Sequence, residues 1–149
     1  MKRIITTLAV ALLCAGMAFA QNDKADNIIG KYSGGEGKDA YKVEITRSAD
    51  GTYQAKLFWL ADPLDKNGNR ALDTKNPDKS LRSTPMDQVV LIPDLKYNPE
   101  KQQWGDSKIY DPDRGIKVKA TAKFENPGAL VVRGTVLGIG ESVTWTRLQ

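Results

Sequence analysis

From position 41 onward, apolar and polar side chains alternate with a period of two over most of the chain, which is the pattern of half-buried β-strands. Tyr41, Val43 and Ile45 oppose Lys42, Glu44 and Thr46. Tyr53, Ala55, Leu57 and Trp59 oppose Gln54 and Lys56, with Phe58 as an outward apolar exception. Asp50-Gly51 between them is a tight-hairpin signal and makes the two strands antiparallel neighbours. The clearest alternation sets Ile116, Val118, Ala120, Ala122 and Phe124 against Lys117, Lys119, Thr121 and Lys123. Asn126-Pro127-Gly128 then turns the chain into a strand carrying Leu130, Val132, Gly134 and Val136 on one face. After Gly138-Ile139-Gly140 a last strand carries Val143, Trp145 and Arg147 on one face. Two less regular strands fall near 88–97 and 102–110, the first interrupted by Pro93, which predicts an edge, bend or bulge. A short strand over 30–34, preceded by a brief helical turn over 25–29, brings the total to eight. Short strands joined by turns, with almost no helical period, predict an all-β fold: an antiparallel sandwich or a closed up-and-down barrel.

The first twenty residues stand apart from this pattern. A positive start, Met1-Lys2-Arg3, precedes an uncharged apolar stretch from Ile4 to Phe19, and Ala18-Phe19-Ala20 is a small-x-small cleavage site. The stretch is shorter than the ~20 residues a bilayer core demands. Residues 1–20 are therefore expected to be a cleaved signal peptide, with the mature protein periplasmic or secreted and free of a transmembrane segment. Cys14, the single cysteine, would leave with the signal, because bulky Leu13 stands where a lipoprotein signal needs a small residue. The expected mature domain, 21–149, has no cysteine and must rely on its core, which is feasible for one domain of this length.

Charge and composition exclude more than they assign. Removing Lys2 and Arg3 from the 22 basic side chains leaves 20 against 18 acidic ones, a net charge of +2. Lysines alternate with acids along most of the chain, so no contiguous basic face for nucleic acid is expected. The chain contains no histidine, which removes Ser/His/Asp and Cys/His catalysis and imidazole metal ligation. An enzyme would have to use carboxylates such as Asp106, Asp111 or Asp113, in the manner of a glycosidase pair. Nothing in the sequence fixes their separation, and a non-enzyme without a cofactor is expected. In the long segment 61–87, Asp65, Asn67 and Asn69 have the spacing that opens a calcium loop, but Arg70 stands where that loop needs glycine. Asn-Gly, Asn-Pro and Asp-Pro turns account for the same residues, and no metal site is expected.

The chain ends choose between sandwich and barrel. Gly30-Lys31-Tyr32 opens the first strand, and Arg147 shares a face with core residues of the last, where its charge must be met. Packing over an aromatic ring would meet it. The arrangement resembles the floor of lipocalin-like barrels, in which a Gly-x-Trp at the start meets a basic residue from the final strand; Tyr32 replaces the Trp. A wider resemblance covers nearly the whole of 21–149. Trp59-Leu60, Pro63-Leu64-Asp65, Gly68, Asp73, Asn76-Pro77-Asp78, Arg82 and Pro85 are followed by Ile109-Tyr110-Asp111-Pro112, Gly115, Arg133-Gly134 and Thr144-Trp145-Thr146-Arg147. In order and spacing these are similar to the bacterial family catalogued as domain of unknown function 2147. The resemblance implies a small exported protein with a lipocalin-like barrel. It implies no activity, so no catalytic residue is carried over.

The fold expected is thus all-β, an eight-stranded antiparallel up-and-down barrel, lipocalin-like, with a short N-terminal helical turn. On the inward parities, Ala55, Ala120, Ala122 and Gly134 interleave with Tyr53, Trp59, Phe124 and Trp145, a mixture that fits either a hollow barrel or a tapered, filled one. The hollow version would bind a small, largely apolar or amphipathic molecule, one with an acidic head being the candidate. Trp59, Phe124 and Trp145 would form walls, Tyr110 or Arg82 would fix orientation, and Tyr32 and Arg147 would close the floor. The filled version would be an envelope interaction module presenting the 61–87 loop to a protein or glycan. Oligomeric state is not legible.

Overall fold

Eight antiparallel strands follow one another round a closed barrel, each hydrogen-bonded to the next and the last to the first. The strands are β1 (Gly30–Gly34), β2 (Tyr41–Arg47), β3 (Tyr53–Leu60), β4 (Val90–Asn98), β5 (Gln103–Asp111), β6 (Ile116–Asn126), β7 (Ala129–Val136) and β8 (Ile139–Arg147). A 3-10 turn, Ala25–Ile28, precedes β1. This computed structural model describes residues 21–136 and 138–149; the expected signal peptide, 1–20 with Cys14, lies outside the described residues. The barrel, rather than the sandwich, follows from the seam. β8 returns to β1 with Tyr32 opposite Arg147 and Ser33 opposite Thr146, and closure removes the two sheet edges a sandwich would leave.

The turn chemistry behaves as its residues dictate. At the β2–β3 hairpin Gly51 takes φ 86, and Asp50 Oδ1 accepts from the Thr52 N–H at 3.0 Å and the Thr52 hydroxyl at 2.7 Å. Those bonds to the ionised carboxylate hold the Asp50 pKa below its ordinary value. On β4, Ala55 faces Ile92 while Tyr53 faces Leu95. The register therefore gains a residue across Pro93-Asp94, where Pro93 lies exposed and its missing N–H costs no ladder bond.

One irregularity changes the reading of β3. Val43 pairs with Leu57 but Lys42 pairs with Trp59, so Phe58 is an extra residue in a β-bulge. A bulge reverses the inside/outside alternation beyond it. Tyr53, Ala55 and Leu57 point inward and are buried, whereas Trp59 is 41% exposed on the outer wall.

Alternating strand connections place the β1–β2, β3–β4, β5–β6 and β7–β8 links at one end of the barrel and the N-terminal turn at the other. The turn end is filled. Tyr32, Tyr53, Trp104 and Phe124 are all buried there with Ile28, and the Trp104 and Phe124 rings meet edge to face at 5.8 Å. Aromatic and backbone partners fix the turn as a floor. Trp104 Nε1 donates to the Ala25 carbonyl at 3.0 Å, and the Tyr97 hydroxyl to that of Asn22 at 2.6 Å. The buried Asn22 amide pairs with the Phe124 backbone in both directions, at 2.9 and 2.8 Å.

Candidate functional site

The filled floor leaves the other half of the barrel hollow. A cavity of about 870 Å³ opens at the loop end, walled by Leu57, Leu60, Ile109, Val118, Val132, Val143 and Trp145 among others. Its origin is a size gradient along the inward parities. The rings of Tyr32, Tyr53, Trp104 and Phe124 crowd the floor, while Gly134 and aliphatic residues such as Leu57, Val118 and Val132 face most of the upper space, with Tyr41, Tyr110 and Trp145 set in its walls. A Cβ on Gly134 would lie 2.9 Å from Val118 Cγ2, so the absence of a side chain there lets neighbouring strands pack. At the upper wall Tyr41 lies across Gly34, its cross-strand partner; a Cβ on Gly34 would come within 2.5 Å of that ring. The Tyr41 hydroxyl accepts from Trp145 Nε1 at 2.9 Å, and both side chains line the cavity. Burial pushes the Tyr41 pKa up, against the opposing effect of that indole bond.

The long β3–β4 segment is built rather than loose. It carries 3-10 turns at Lys79–Leu81 and Met86–Gln88 and isolated bridges Leu64 to Arg70 and Leu72 to Pro85. Asp62, Ala71 and Met86 reach the cavity, so the segment forms part of its mouth. Asp65 Oδ1 accepts the backbone N–H groups of Asn67 and Asn69 at 2.9 and 3.0 Å, which explains these residues by turn geometry. A buried polar cluster fastens the segment to the barrel. The Tyr110 hydroxyl donates to Asp73 Oδ1 and the Asn76 amide to Asp73 Oδ2, each at 2.7 Å. Burial, then the Asp73 bond and charge, drives the Tyr110 pKa well above its ordinary value. Lys75 Nζ adds a 2.7 Å bond to the Asp113 carbonyl on the β5–β6 link.

That link, Pro112 to Arg114, forms the facing lip. Asp111 and Arg114 are paired at 2.6 Å. Burial pulls the Asp111 pKa upward, but hydrogen bonds from Arg114 and two backbone N–H groups outweigh it, so the net displacement is downward. A second hollow of about 630 Å³ flanks the wall where β4 and β5 pair only over Lys96–Asn98, and Leu91 and Tyr110 border both spaces.

Of the residues singled out from sequence, the structure seats Trp145 and Tyr110 at the cavity and moves the other three binding candidates away from it. Trp59 stands outside because of the Phe58 bulge, with Lys42 Nζ 4.8 Å from its ring centroid. Phe124 is buried in the floor beside Trp104. Arg82 donates Nε to the Asn76 carbonyl at 2.7 Å, bracing the segment from within. The Arg147 guanidinium lies 5.2 Å from the centroids of both Tyr32 and Phe124 and donates to the Ile29 and Asn27 carbonyls at 3.2 and 2.6 Å. Tyr32 in turn donates to the Ile28 carbonyl at 2.7 Å. Leu57, Leu60, Val118 and Val143 were legible as apolar strand positions, but nothing in their spacing set the hollow above the floor. Asp39, Asp62 and Glu141, which also line the mouth, carry no sequence signal separating them from ordinary solvated acids.

Comparison with known proteins fits this geometry. A search of curated proteins gave no match. Among solved structures, protein HP1028 from the human pathogen Helicobacter pylori, described as belonging to the lipocalin family, superposes with a TM-score of 0.64 at 25% identity, over 82% of this chain and 83% of that one. The fold is accordingly lipocalin-like. A family model described as uncharacterized protein conserved in bacteria matches residues 30–147, and the chain belongs to that family, domain of unknown function 2147.

Proposed function

We propose that this is an exported carrier that binds one small, largely apolar ligand inside the barrel, acting by binding and not by catalysis. The observation that carries the reading is the cavity itself: about 870 Å³, lined mainly by aliphatic side chains and closed at one end. That volume falls within the range of small-molecule sites, which are concave and mostly apolar with a few polar groups. Fold alone assigns no ligand, so the argument rests on the hollow and its walls. Each methylene withdrawn from water contributes about 0.8 kcal/mol, part of which offsets the cost of immobilising the ligand. The signal-like N-terminus supports a periplasmic or extracellular place of action.

The alternative, an interaction module that displays the 61–87 segment, is less well supported. Asp73, Lys75 and Met86 tie that segment to the barrel mouth, which suits a rim better than a free recognition loop. Native mass spectrometry of protein purified from its own cell envelope, followed by titration with an environment-sensitive apolar dye, tests the carrier reading. A copurifying small molecule and saturable, stoichiometric dye binding are expected. Absence of both overturns it.

A further inference from the structure

The charge around the mouth bears on which head group the ligand carries, an inference that rests on the carrier reading. Five carboxylates line the opening, Asp39, Asp62, Asp111, Asp113 and Glu141, against Lys38, Arg114 and, with its ammonium 2.7 Å from the Asp113 carbonyl, Lys75, a formal balance of −2. Arg114 is engaged by Asp111 at 2.6 Å. Among the described residues no ion pair joins Asp39, Asp62, Asp113 or Glu141 to a base. Arg82, the cation the sequence offered for an acidic head, faces the Asn76 carbonyl instead.

Such a rim would be merely a set of solvated acids were it not the entrance to an apolar chamber with aromatic walls. Tyr41 and Trp145 stand in that chamber, linked to each other and, among the described residues, carrying none of the stacked cations seen on Tyr32, Phe58, Trp59 and Phe124. A ligand whose tail fills the chamber must leave its head at the mouth. An anionic head meets excess negative charge there. An ammonium meets the carboxylates and, at the upper wall, the half-buried Tyr41 ring, both of which attract it. We infer that the carrier selects amphiphiles with a cationic, ammonium-type head over fatty acids.

The experiment compares decylammonium, decanol and decanoate as displacers of the same bound dye, so that only the head differs. At low salt decylammonium should bind about tenfold or more tightly than decanoate, with decanol between them, and the gap should shrink as salt is added, because the rim charges are solvent-facing. The D39N/D62N/E141Q variant should bring decylammonium down toward decanol. Equal binding of the three probes, or a preference for decanoate, overturns the head-group inference while leaving the carrier intact. Displacement by none of them overturns both. The wild-type salt series decides the question even if the triple variant does not fold.

Discussion

Tyr32 and Arg147 face each other across the seam between the first and last strands, and the guanidinium lies 5.2 Å from the phenol centroid. A single side chain thus joins three parts of the floor: the seam, the Phe124 ring, and the N-terminal turn through the Asn27 and Ile29 carbonyls. Among the described residues its buried Nε has no hydrogen-bond partner and no carboxylate forms an ion pair with it, so there the charge is met by two carbonyls and two rings.

Arg147→Met should therefore cost about 2–4 kcal/mol in urea-induced unfolding, from two charge-assisted hydrogen bonds and the cation–π contacts. Arg147→Lys should recover less than half of that, since a point charge does not reproduce the fork. If the methionine variant were as stable as wild type, the clamp would contribute nothing.

The Phe58 bulge predicts opposite results for two residues that the simple alternation treats alike. Trp59→Ala removes an exposed ring stacked on Lys42 and should leave dye affinity within about twofold. Val143→Trp places a large ring in the cavity wall and should weaken the dye at least about tenfold, roughly 1.4 kcal/mol. Both are read in one titration with circular dichroism as the folding control, and the reverse ranking would show that the dye sits elsewhere.

Strand number, order and hairpins were legible because period-two patterning and Asp-Gly or Pro-Gly turns are local properties of the chain. The N-terminal turn and the Pro93 irregularity were legible for the same reason. What escaped was set by non-local geometry. The extra residue at Phe58 is defined only against Val43 on the neighbouring strand, and it carried Trp59 out of the cavity. Phe124 shares a parity with cavity residues but lies at the floor, a matter of height along the barrel that parity does not encode. Arg82 found a backbone carbonyl within its own segment, which no pattern of side chains announces. The mouth carboxylates come from three connections (Asp39, Asp62 and Asp113), the end of β5 (Asp111) and β8 (Glu141), and become neighbours only on closure.

The cluster under the long segment predicts a local effect on dynamics. Tyr110→Phe deletes the donor to buried Asp73, leaving that carboxylate with the Asn76 amide. A loss of about 1–3 kcal/mol is expected for a buried acceptor so deprived. Amide exchange should accelerate over 71–86 while the β6–β7 ladder keeps its protection. Uniform acceleration across the barrel would instead mean that the segment opens only with global unfolding.

Alkaline titration probes the floor independently of any ligand. Burial, partly countered by the Arg147 charge, pushes the Tyr32 pKa from 10.0 to about 12. The native state therefore holds the phenolic proton more tightly than the unfolded chain. Its contribution is complete below pH 10 and declines as pH rises through about 12, amounting to on the order of 3 kcal/mol for a shift of that size. Tyr53, also raised to about 12 chiefly by burial and the Asp26 hydrogen bond, adds to the same slope. Urea unfolding across this window should show stability falling in wild type and falling less steeply in Tyr32→Phe, even though that variant starts lower for want of the Ile28 bond. Identical slopes in the two proteins would mean that the Tyr32 phenol ionises as freely in the folded barrel as in the unfolded chain.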